Sequence, residues 1–260
     1  NGVAVGSGST GGRHDPAPHP IPWPKNIAGP DYPVAGVRRG CPAFYGGEVM
    51  ERWLNKIILG DCLDVMREMP DKCVDLVLTD PPYGLGRKLT SGGTWATNSL
   101  YDEDSVVVWD IPVSGEYFNE ILRISKNQII WGGHLYKHYL PTSRCWLAWI
   151  KINPLNTMGD FELAWTSFDS PCKAFSSPIN PNNLKRSHPT QKPVELFQWA
   201  LNRYSKPGDI ILDPFLGSGT TVAACINLER QYIGIEISPD YVFAAEQRIK
   251  KATAQRRMFL

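Results

Sequence analysis

The sequence predicts an α/β fold built on a mostly parallel sheet with helices on both faces. Short apolar runs (74–78, interrupted only by Asp75, and 210–212) carry this reading, together with helix-period segments between them and Pro- or Gly-rich turns directly after them. A strand that is apolar throughout is covered on both sides, and in a parallel sheet crossover helices supply the cover.

The elements follow in order. Lys56–Leu59 reads as a first short strand, ended by Gly60-Asp61. Leu63, Met66 and Met69 recur at three-residue spacing and mark one helix face, broken by Pro70-Asp71. Residues 74–78 form the second strand. Tyr117, Phe118, Ile121 and Leu122 indicate a helix, followed by a strand at 128–131. Residues 145–150 and 161–166 read as two more strands, an antiparallel pair at the sheet's edge. Pro193 opens a helix to Tyr204 with Leu196, Phe197, Ala200 and Leu201 on one face. A strand at 210–212, a Gly-rich turn, a helix through Leu228 and a strand at 232–237 come next. Ser238 then caps a last helix with Pro239 at its first position, running towards Arg257.

Residues 1–49 differ in texture. The run from Gly6 to Gly12 reads as linker, and residues 14–24 are Pro-rich. Such composition buries too little apolar surface to offset its ordering entropy. The pattern places the natural start near Met50, with 50–260 as the catalytic domain and 1–49 as an extension. The rival reading is an arm packed through Trp23, Tyr32, Phe44 and Tyr45.

Composition excludes several classes. The net charge is +1, so any nucleic-acid surface must come from local Lys and Arg clusters. Six cysteines without a CxxC pair argue against a zinc ribbon or a disulfide framework and suit reduced thiols in the cytoplasm. No apolar run approaches the ~20 residues that span a bilayer, and no signal-peptide pattern is present. His134 and His138 would share a helix face, but no third metal ligand is evident.

Two motifs carry chemistry. Asp80-Pro81-Pro82-Tyr83 follows the second strand directly, at the strand end where ligands of open α/β sheets sit. The prolines stiffen the turn and remove amide donors. Asp80 and the Pro81 carbonyl are acceptors and Tyr83 is a stacking face, which together suit a planar base bearing an amine. Taken alone, the tetrapeptide is also compatible with a plain turn capped by Asp80. The second motif, from Asp213 through Phe215, Gly217, Ser218 and Gly219 to Thr220, lies between strand and helix. Its glycines permit close approach of a ligand to backbone, and Glu236 ends the next strand as a ribose-binding acid should. The absent third glycine weakens a nicotinamide reading.

Together the motifs resemble the amino-methyltransferase family of DNA methyltransferases in its β arrangement, where DPPY precedes FxGxG. The stretch from His188 to Pro193 is similar to the family segment before the cofactor loop, and the match covers about residues 54–250. Size and middle region resemble compact phage-type members. The resemblance implies a three-layer Rossmann-like S-adenosylmethionine-dependent fold with a circularly permuted motif order. It implies transfer of a methyl group to adenine N6, with Asp80, Pro81, Pro82 and Tyr83 catalytic. Cofactor contacts would come from Asp61, Cys62, Thr190, Gln191, Lys192, Asp213, Phe215, Gly217, Ser218, Gly219, Thr220 and Glu236. The Lys192 charge would meet the methionine carboxylate, and a side chain at Gly219 would fill the cofactor's space. Double-stranded DNA is the implied substrate, with DNA-contacting insertions at 84–109 and 151–187 and contacts from Arg87, Lys88, Lys173, Lys185 and Arg186. A homodimer and a cognate restriction enzyme are the other partners the resemblance leaves open. Cytosine N4 is the alternative target, and a non-catalytic DNA-binding relative the alternative class.

Overall fold

Eight strands hydrogen-bond into one sheet in the order β1-β8-β7-β2-β3-β5-β4-β6. The computed structural model describes residues 50–84, 113–152, 159–178 and 192–257, all within the unit Cys41–Leu260. The expectations for residues 1–49, Arg87, Lys88, Lys185, Arg186, Thr190 and Gln191 lie outside the described residues.

β1 (Lys56–Leu59), β8 (Gln231–Glu236), β7 (Ile210–Asp213), β2 (Val74–Thr79) and β3 (Ser125–Trp131) are mutually parallel, as the apolar runs predict. β5 (Phe161–Thr166) and β4 (Trp146–Ile152) form the expected antiparallel pair. They do not end the sheet. β6 (Lys173–Pro178) pairs parallel to β4 and is the outer strand, inside the region expected to be a DNA-contacting insertion.

Helices cover both faces. α1 (Cys62–Glu68) and α2 (Gly115–Ile124) pack Met66, Phe118, Ile121 and Ile124 against Val77, Ile130 and Ile233. On the other face α3 (Val194–Tyr204) and α4 (Thr220–Asn227) press Leu196, Phe197, Leu201 and Ala224 onto Leu76, Leu78, Ile129 and Ile211. α5 (Pro239–Arg257) contributes Ala245 to a smaller cluster with Leu216 and Val222. Each large apolar side chain buried this way stabilises by about 1.5–3 kcal/mol, so these clusters fix the sheet's two faces. Alternate strand residues face opposite helices, which leaves the strand ends to carry the polar turns.

Candidate active site

β2 and β7 are neighbours, with Leu76 opposite Ile211 and Val77 opposite Leu212. The turn after β2 and the turn after β7, 133 residues apart from Asp80 to Asp213, therefore emerge side by side. A direct bond joins them: Thr79 Oγ1 donates to Asp213 Oδ1 at 2.7 Å.

The first turn is held by charge. Tyr83 Oη donates to Asp80 Oδ1, and Lys192 Nζ donates to Asp80 Oδ2 at 2.6 Å and to Tyr83 Oη at 3.2 Å. Lys192 is 4% exposed, so its charge must be met by protein. Glu162 on β5 meets it as well, its Oε2 lying 3.0 Å from Nζ in an ion pair. Lys151 on β4 closes the chain at 2.7 Å from Glu162 Oε1. Burial opposes the charge on Lys192, but Asp80 and Glu162 overcome it and hold the ammonium's pKa well above the ordinary value. Glu162 is likewise resisted by burial and pulled down to about 2 by Lys192 and Lys151. Burial pushes the Asp80 carboxyl above its usual range, with Glu162 adding to that and Lys192 opposing it. Burial, then Asp80, raises the Tyr83 phenol.

Two further residues seat the turn. Tyr136 Oη, in the 3-10 turn Gly133–Tyr136, donates to the Pro82 carbonyl. Gly132, at φ +66°, lies so close to the Tyr83 ring that a Cβ there would stand 2.2 Å from Cε1.

The carboxylates of the second turn are held by hydroxyls and backbone amides. Asp213 accepts from Thr79, from the Phe215 amide at 3.1 Å and from Thr221 Oγ1, and its burial pushes the carboxyl up to about 6. Glu236 accepts from the Gly217 amide at 2.7 Å and the Ser238 amide at 2.9 Å, one on each oxygen. Each carboxylate oxygen has two acceptor sites, so this bonding does not exhaust either one. Asp61 caps α1 by accepting from the Leu63 amide at 2.8 Å, and its other oxygen lies 3.4 Å from Tyr117 Oη. The Tyr117 and Phe215 rings are 5.9 Å apart beside these acids. Ser218 and Thr220 are buried, and Thr220 Oγ1 accepts from Arg248 at 2.9 Å.

Four of the expected site residues have structural contacts of their own. The Lys192 ammonium sits on Asp80, Tyr83 and Glu162, while its carbonyl accepts from Thr220 Oγ1 at 3.4 Å. Gly219 is required by its φ of +83° and by α5, since a Cβ would stand 2.8 Å from the Ala245 Cβ, whatever ligand is present. Cys62 places its side chain in the core, where burial raises the thiol. Lys173 starts β6, and because β6 runs parallel to β4 and β4 antiparallel to β5, that start lies at the sheet end opposite Asp80. Glu162, Lys151 and Tyr136 were not singled out in the sequence. The available signal was Lys151, which occupies a buried slot in the alternation of Leu147 and Trp149. A cation there requires a partner.

A family profile described as DNA methylase matches residues 123–247. The putative methylase YubD of Escherichia coli (strain K12) is 30% identical over 227 residues, spanning 79% of this chain and 93% of that protein. The type II methyltransferase M.HinfI of Haemophilus influenzae is 26% identical over 267 residues, spanning 78% of this chain and 70% of that one. The fold is shared with solved structures. The M1.HpyAVI–SAM complex matches with a TM-score of 0.50 at 24% identity over 75% of this chain and 98% of that chain. The cytosine-N4-specific PvuII DNA methyltransferase matches with a TM-score of 0.51 at 18% identity over 76% and 90%.

Proposed function

The chain belongs to the DNA methylase family, and from that premise we propose that it methylates N6 of a flipped-out adenine in double-stranded DNA, using S-adenosylmethionine. The observation that carries this reading is the adjacency of the two turns, tied at 2.7 Å between Thr79 and Asp213. An acceptor-rich stiff turn and a Gly-rich turn between strand and helix lie side by side, which supports transfer between a base at the first and a cofactor at the second.

The residues present fit the cofactor. The carboxylates of Glu236 and Asp61 stand at the ends of β8 and β1 for hydroxyl and amine donors, and α4 starts directly after Gly219. When bound, the cofactor supplies an electrophilic methyl group on a sulfonium. Everything else falls to the chain. Asp80 accepts a hydrogen bond from one amine N–H and the Pro81 carbonyl from the other, which draws the nitrogen from planarity and restores its lone pair; the nitrogen loses one proton once it carries the methyl group. Tyr136 holds the carbonyl of Pro82, not that of Pro81. Because the Tyr83 hydroxyl already donates to Asp80 Oδ1, the arriving amine takes over that bond and the ring turns to stack on the base. Stacking of this kind is worth ~1–3 kcal/mol and offsets part of the few kcal/mol that extrusion costs. Asp rather than Ser at position 80 supports adenine over cytosine.

Digestion of DNA methylated by the purified protein, with mass spectrometry of the nucleosides, tests the reading. N6-methyldeoxyadenosine is expected; N4-methyldeoxycytidine would overturn the target assignment, and no methylated nucleoside the activity.

A further inference from the structure

We propose that Glu162, braced by Lys151, is a positioning residue that shares the Lys192 ammonium with Asp80 and so keeps the Asp80 carboxylate available to an incoming amine. The inference rests on the methyl-transfer reading for its purpose, and on geometry for its substance.

Four charges from four places in the fold meet in one buried row: Asp80 after β2, Lys192 before α3, Glu162 on β5 and Lys151 on β4. Two are negative and two positive, so the row is neutral, as burial demands. Other titratable groups facing Asp80 are Tyr83 on its own turn and Asp213 at the end of β7, whose charge is coupled to that of Asp80. Lys192 sits between two carboxylates, at 2.6 Å from Asp80 and 3.0 Å from Glu162. Without Glu162 its whole charge would fall on Asp80. The carboxylate would then be a weaker acceptor, and the amine would have to compete with an undivided ion pair. Without Lys192, Asp80 would face the ionised Glu162 with no cation of its own and would take up a proton, losing an acceptor site. Lys151 keeps Glu162 ionised across this range. Glu162 does not itself bond to Asp80 or Tyr83, so it acts through Lys192.

The sign follows from these contacts. Glu162 raises the Asp80 pKa, and removing its charge lowers it. Carbon-13 NMR on protein labelled at the aspartate carboxyls, with the Asp80 signal assigned through Asp80→Asn, reads this directly. In Glu162→Gln the Asp80 midpoint is expected to fall by about one unit, a tenfold change in proton affinity. The acid limb of kcat/KM moves down with it, kcat at neutral pH drops about tenfold, and calorimetric S-adenosylmethionine binding is retained. Lys192→Met shifts the midpoint upwards. Glu162→Asp, one carbon shorter, gives an intermediate fall and partial recovery of kcat, and it carries the test if the Gln variant does not fold. An Asp80 midpoint and acid limb unchanged or raised in the Glu162 variants overturns the proposal. The NMR titration reads the positioning whether or not DNA is methylated, so failure of the functional reading appears separately, as wild-type protein yielding no methylated nucleoside.

Discussion

The two turns at the ends of β2 and β7 are neighbours built on opposite principles. The Asp80 turn is secured by ionised side chains from distant parts of the chain, with Lys192 and Glu162 lying 112 and 82 positions away. The Asp213 carboxylate is secured by hydroxyls and a backbone amide, two of its three donors coming from its own strand-turn-helix unit. Charge in a buried site can be tuned and displaced, whereas neutral hydrogen bonds to backbone fix shape. A turn that must give its acceptor to a visiting base is served by the first. A turn that must present a fixed cradle is served by the second.

The sharpest way to separate them is Asp80→Ala. It removes the acceptor without touching the Asp213 turn, so methyl transfer is expected to fall by 10³-fold or more, about 4 kcal/mol in transition-state terms, while S-adenosylmethionine binding survives. Equal loss of both in transfer assays and calorimetry would mean that the turns do not divide the work.

Gly219→Val attacks the other side. A β-branched residue at φ +83°, with Ala245 in the way, strains the turn and displaces α5. A stability loss of about 3 kcal/mol is expected in urea unfolding, together with weaker cofactor binding. Full stability with only the cofactor lost would restore the view that this glycine serves the ligand alone.

Asp213 gives the neutral turn a pH signature. Its carboxyl is raised from 3.8 to about 6 in the folded protein, so folding is favoured by its proton below pH 4 and this contribution is lost as the pH climbs through 6. The shift amounts to roughly 3 kcal/mol. Asp213→Asn is expected to flatten the fall in stability between pH 4 and 6, measured by denaturant titration; an unchanged slope would place the proton elsewhere.

The comparison also explains what was legible in the sequence. The parallel strands showed themselves because burial on both faces makes them apolar throughout, as in residues 76–78. β6 did not, because Lys173–Pro178 is an exposed outer strand with no apolar alternation, and its identity as a strand comes from pairing with β4. Both turns were readable as local motifs. The cations and acids that hold the first were not, since nothing local says that Lys192 and Glu162 converge on Asp80. Asp61 shows the limit from the other side: it was expected at the cofactor, and one of its oxygens serves first as the cap of α1.

Tyr136 offers the finest probe of the charged turn, because it touches the turn through a neutral bond. Its hydroxyl donates to the Pro82 carbonyl, while its ring is buried against Phe118 with centroids 4.8 Å apart. Tyr136→Phe keeps the ring packing and deletes only the donor. A bond of this type is worth about 1 kcal/mol net. If the charged row alone fixed the turn, kcat would not change. If the turn needs this neutral strut as well, kcat should fall about fivefold, with S-adenosylmethionine affinity and the acid limb unmoved, since the phenol carries no charge to Asp80. Steady-state kinetics across pH decides between them, and a shifted acid limb would mean that Tyr136 belongs to the charge network after all.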